Sequence, residues 1–162
     1  MKKLDRRKFI GKTTLGLGAM LVFPQLLQAS EPERYKYPVG FQTFPIRDML
    51  AKDFSGTLKT MAGMGYQLVE MCYPKGYANA GFGPLVGLKP ADLRNMIRDA
   101  GLYCPSCHIG MGDLKNNFGE CMEFAHGLGL SQIISPVLET PGKTIAEFKE
   151  SAVELNKIDE RI

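Results

Sequence analysis

Apolar residues along this chain alternate between two rhythms: short continuous runs, and stripes at helical spacing. The runs fall at residues 39–44, 67–72, 103–109 and 132–138, each of strand length and bounded by Gly, Pro or polar residues. Between them, apolar positions recur every three or four residues. Leu58, Met61 and Ala62 mark a first helix that Asp53 or Ser55 can cap and Gly65 ends. Leu93, Met96, Ile97 and Ala100 mark a second, with Pro90 in its first turn, where the missing N–H does no harm, and Gly101 at its end. A third helix spans 115–128, burying Phe118, Cys121, Phe124, Ala125 and Leu128, and stops at Gly129. Thr144 with Glu147 forms a capping box for the last, whose inner side uses Ile145, Phe148, Ala152 and Leu155.

One junction recurs: helix, glycine, one or two residues, strand. It falls at Gly65, Gly101 and Gly129, intervals of 36 and 28 residues, which is the length of a βα unit. Strands alternating with helices predict an α/β fold, a parallel sheet covered by helices. Four such units suit either a doubly wound open sheet or part of a (β/α)8 barrel. The first strand is not followed by the Gly-rich fingerprint of a dinucleotide-binding sheet. The second loop, 73–88, is long and rich in Gly and Pro. Its aromatic tips Tyr73, Tyr77 and Phe82 are a candidate surface for stacking on carbohydrate.

The N-terminus stands outside this rhythm. Lys2, Lys3, Arg6, Arg7, Lys8 and Lys12 face a single acid, Asp5, and a glycine-spaced apolar run then leads to Pro24, Ala29 and Ser30. A basic block, a short apolar block and small residues, in that order, predict an export signal over 1–29, too short to span a bilayer. Arg6-Arg7-Lys8-Phe9-Ile10 gives it a twin-arginine character, the address of proteins exported already folded. The expectation is a periplasmic protein, with 30–38 a polar linker and no membrane span after cleavage.

Setting the signal aside changes the charge. The remainder holds 14 basic against 16 acidic side chains, a net of about −2, so the basic character belongs to the signal and nucleic acid is not an expected partner. About 133 residues remain, enough for one small domain. Four cysteines could pair in an oxidising compartment. Cys104-Pro105-Ser106-Cys107 has redox-motif spacing but lies in a strand-like run, where its two cysteines would point to opposite faces rather than open a helix. No second pair stands at zinc spacing.

The segment Gly40-Phe41-Gln42-Thr43-Phe44-Pro45-Ile46-Arg47-Asp48 resembles the opening strand of the xylose-isomerase-like TIM-barrel superfamily. It is most similar to the exported members called sugar phosphate isomerases/epimerases. Further matches fall in order: Gly56-Thr57-Leu58-Lys59, Gly65-Tyr66 before Val69-Glu70, the stretch 93–101, and Pro105-Ser106-Cys107-His108. The resemblance implies a partial (β/α)8 TIM barrel, its first four βα units occupying 39–162. It also implies isomerisation, epimerisation or dehydration of a small sugar or keto-sugar by metal-assisted proton transfer.

The resemblance continues, in the family, past a segment like Leu155-Asn156-Lys157 into a fifth strand bearing His and Glu and three further units. The main metal ligands, for Mn, Mg or Zn, lie on strands five to eight. The expectation for this chain is therefore no metal of its own and weak or absent activity alone. Its expected substrate contacts are Gln42 near the end of the first strand, Glu70 within the second and His108 at the end of the third, with Arg47 and Lys75 as candidates for an anionic group. Two other readings stand beside this one: a non-catalytic carbohydrate- or partner-binding half-barrel, and a half-barrel that self-assembles as a homo-oligomer.

Overall fold

The structure, a computed structural model, describes residues 37–138, 140 and 142–162, so the signal expected over 1–29 and most of the 30–38 linker lie outside the described residues. Strand β1 is Gly40–Gln42. Pro45 has no N–H to extend a ladder, and the chain turns at Thr43 into a 3-10 turn, Phe44–Ile46, then helix α1, Arg47–Lys52. Helix α2, Phe54–Gly63, is capped by Asp53, whose carboxylate accepts the Gly56 amide at 2.8 Å; Ser55 plays no such part. Strand β2 is Leu68–Cys72, helix α3 Pro90–Asp99 and strand β3 Tyr103–His108.

The expected third helix is two: α4, Met111–Asn116, and α5, Phe118–Leu128, separated where Asn117 leaves helical geometry. Strand β4 is only Gln132–Ile134, shorter than its apolar run because Pro136 cannot donate to a ladder. Helix α6 is Ile145–Asp159, opened by the Thr144–Glu147 capping box. Its buried side is Ser151 and Ile158, two turns apart, with Leu155 half-buried between them. Ile145 and Phe148, marked by periodicity as the inner side, are 77% and 46% exposed. Apolar residues lie around much of this helix, so spacing alone did not select the face that packs.

The four strands form one parallel sheet in the order β1-β2-β3-β4. Each helix-to-strand junction is built alike. Gly65, Gly101 and Gly129 sit at φ +98°, +84° and +80°, the left-handed region where glycine carries no Cβ penalty. The amides of Tyr66, Leu102 and Leu130 then reach back to Met61, Ile97 and Ala125, at 3.3, 3.1 and 3.0 Å. These six-to-one bonds close Schellman motifs that stop each helix and aim the chain into the sheet.

Successive strand residues face opposite ways. Val69, Met71 and Cys107 share one face and are fully buried in the core with Leu58 of α2, Leu93 and Ile97 of α3, and Cys121 and Leu128 of α5. The register places Gly40 and Gln42 with Leu68 and Glu70, and Glu70 and Cys72 with Ser106 and His108, on the other face. A bulge sits between these pairs: two residues of β3, Cys104 and Pro105, oppose Val69 alone. The extra residue resets the alternation, so both Cys104 and Cys107 end in the core rather than on opposite faces.

Candidate functional site

Parallel strands bring their C-terminal ends to one edge of the sheet, and Gln42, Cys72 and His108 are the last residues of β1, β2 and β3. Glu70, two residues before the end of β2, lies beside Gln42 and Ser106 in the register. A hollow of about 280 Å³ opens on this face, lined by Gly40, Gln42, Leu68, Glu70, Pro105 and Ser106. The three residues expected to contact substrate are thus together.

They are also bonded to one another. His108 Nε2 stands 2.8 Å from Glu70 Oε1, the two side chains 21% and 27% exposed. Ser106 Oγ donates to Glu70 Oε2 at 2.8 Å. Gln42 Nε2 donates to Cys72 Sγ at 3.2 Å and lies 3.3 Å from His108 Nδ1. The Phe44 amide donates to Gln42 Oε1 at 2.6 Å, fixing the side-chain amide from behind. Beneath it, fully buried Thr43 accepts the Cys72 amide at 3.0 Å and ties β1 to β2. A carboxylate in a central strand is costly unless paired, and Glu70 is paired twice while staying reachable from the hollow.

Sequence reasoning missed Ser106, Cys72 and the Phe44 amide. Ser106 was within reach, since a residue two before His108 on a strand shares its face. The Phe44 amide was not, because it depends on the turn at Thr43. Arg47 and Lys75 are engaged locally instead. The Arg47 guanidinium lies 4.5 Å over the Phe44 ring and donates to the Phe44 carbonyl at 2.9 Å. Lys75 pairs with Glu120 on α5 at 2.7 Å, beside a separate hollow of about 180 Å³ between the long loop and the helix layer.

The aromatic platform expected on the long loop is corrected. Tyr73 and Phe82 are 3% and 1% exposed, and half-buried Tyr77 meets the rings of both Phe44 and Phe82 edge-on. Tyr73 likewise packs edge-on against Phe124 of α5. Tyr73 and Phe82 are thus packed away and have no face to offer a sugar, which leaves half-buried Tyr77 alone of the three.

The cysteines form no redox pair either: all four are free and buried. Burial pushes the Cys104 thiol up to about 12 and Cys107 well above its ordinary value, the opposite of a stabilised thiolate.

Glu70 and His108 spend their facing atoms on each other, and no cluster of three or more His, Cys, Asp or Glu placed to hold a metal occurs among the described residues. No helix among them is long and apolar enough to cross a membrane.

No family model matches this sequence, and no curated protein matches it. Among solved structures, it is similar to a sugar phosphate isomerase/epimerase from Parabacteroides distasonis, at 22% identity and a TM-score of 0.57. The match covers 82% of this chain and 48% of that one, so the chain spans about half the length of the solved protein. Four parallel βα units in this order, with their polar strand ends gathered on one face, match the first half of a TIM-barrel fold.

Proposed function

We propose that this chain supplies the substrate-holding first half of a sugar isomerase/epimerase site, with Gln42, Glu70, Ser106 and His108 contacting a small sugar or keto-sugar. One observation carries the reading: four polar side chains from three strands form a single hydrogen-bonded row where barrel enzymes place their chemistry. Isomerisation and epimerisation move a proton on and off a carbon next to a carbonyl, which needs an acceptor within reach. Glu70 is such an acceptor, and its two oxygens keep lone pairs beyond those given to His108 and Ser106. Metal chemistry, which the resemblance implies, would need ligands beyond these residues. On this reading the chain binds a sugar and turns it over weakly or not at all by itself.

Titrating isotopically labelled chain with a panel of small ketoses and sugar phosphates tests this. Signals of Gln42, Glu70 and His108 should move together, and Glu70→Gln should weaken binding about tenfold, roughly 1.4 kcal/mol. A folded chain whose strand-end signals ignore every sugar would remove the assignment. Brisk turnover by the purified chain with Mn²⁺ or Mg²⁺ would overturn the low-activity claim.

The pattern of 1–29 supports a periplasmic location by the twin-arginine route. Changing Arg6 and Arg7 to Lys should strand the precursor in the cytoplasm on fractionation; unchanged export would refute that route.

A further inference from the structure

The row of hydrogen bonds has a direction, and its direction can be read from donors that have no choice. The Phe44 backbone N–H can only donate, so the Gln42 atom it meets at 2.6 Å is the carbonyl oxygen. The amide NH₂ is therefore the end that faces Cys72 Sγ and His108 Nδ1. An NH₂ group only donates, so Nδ1 must be the bare, accepting nitrogen. The ring proton then sits on Nε2 and points at Glu70 Oε1, 2.8 Å away, while Ser106 gives its hydroxyl proton to the other oxygen. The opposite tautomer would set donor against donor at Gln42 and lone pair against carboxylate at Glu70, losing both bonds.

We propose that Gln42 is a positioning residue that locks His108 as its Nε2–H tautomer, leaving Glu70 as the proton acceptor of this face. His108 then acts on Glu70, as a fixed donor, and not on the sugar as a base, because its bare nitrogen is already capped. Cys72 does not compete for that role: burial raises its thiol, and its sulfur is occupied by the Gln42 amide. Each link comes from a different strand, Gln42 from β1, Glu70 from β2 and His108 from β3, so the tautomer is set by the sheet register. The assignment deepens the reading of this face as a sugar site, yet its test needs no sugar.

The chain has two histidines, His108 and exposed His126 on α5. In a His126→Gln background, nitrogen-15 spectra report His108 alone. Nδ1 is expected in the unprotonated range and Nε2 in the protonated range, without averaging. Gln42→Glu puts an acceptor where the NH₂ stood, and should move Nδ1 into the protonated range. Gln42→Met removes the donor at Nδ1 while Glu70 still accepts from Nε2–H, so only the double variant Gln42→Met/Glu70→Leu should leave two exchanging tautomers. Wild-type chain with the proton on Nδ1, or with averaged nitrogens, would overturn the proposal even if sugars bind. So would a Gln42→Glu spectrum identical to the parent's. A locked tautomer with no sugar binding would leave this inference standing and remove the functional reading instead.

Discussion

Glu70 holds two donors at about one quarter exposure, and the cost of losing it depends on what replaces the acceptor. Glu70→Leu leaves the His108 N–H and the Ser106 hydroxyl facing an apolar group, a loss of about 1 to 3 kcal/mol, at the lower end where water reaches in. Glu70→Gln keeps one carbonyl oxygen for His108 and should cost less. Urea midpoints order the two variants; equal losses would mean the row contributes nothing to stability. The thiols set a different response. Burial raises Cys104 to about 12 and Cys121 to about 11, against an ordinary value of 9.0. A raised folded value means the unfolded chain gives up the proton first. Stability is therefore intact below about pH 9 and falls as pH climbs toward 11 to 12, by up to about 1.4 kcal/mol per pH unit for each thiol. Denaturation curves at about pH 8 and about pH 10.5 should separate clearly, and coincident curves would contradict the burial of these sulfurs.

Elements that are closed by local chemistry were legible in the sequence. Gly65, Gly101 and Gly129 mark their junctions because only the residue after the helix must turn left-handed, and that demand is written at one position. Thr144 and Glu147 are similarly self-contained: Thr144 Oγ1 accepts the Glu147 amide, and the Glu147 carboxylate accepts the Thr144 amide at 2.8 Å. Thr144→Ala should cost about 1 kcal/mol and speed hydrogen exchange in the first turn of α6, while the sheet amides keep their rates. The Thr144 and Gly142 amides also hold the Glu147 carboxyl below its ordinary value. Its share of the cap is present above the usual carboxylate range and fades as pH falls through the lowered one. Elements set by a partner were not legible. The bulge at Cys104 and Pro105 exists only in relation to β2, and without it Ser106 and His108 would not share a face with Glu70. Of the expected contacts, Gln42 and His108 were legible as strand-end residues and Glu70 as an acid within a strand, but their mutual bonding required that register. The loop aromatics failed for the converse reason. Length and composition put Tyr73 and Phe82 in a loop, and only the packing of that loop, Tyr73 against Phe124 of α5 and Phe82 against Tyr77, shows them buried.

At the scale of the whole chain, β1 and β4 are the outer strands of the sheet, and a barrel is the arrangement that gives every strand two neighbours. Both edges are short, three residues each, which limits how much pairing they can offer to another chain. Beside β4 in sequence, α6 exposes Ile145, Phe148 and Val153 at 77%, 46% and 51%. Short edges beside an exposed apolar helix side predict weak association between copies, carried more by α6 than by the strands. Molar mass measured by light scattering should rise with concentration in the wild-type chain. Phe148→Glu should displace that rise to roughly tenfold higher concentration, a change of about 1.4 kcal/mol. The same substitution should cost the dilute chain no more than about 1 kcal/mol at the urea midpoint, since nearly half of the residue is already exposed. A mass that stays monomeric at all concentrations would refute the association. A Phe148→Glu chain that still associates while an edge substitution, Phe41→Pro, abolishes it would transfer the contact to β1.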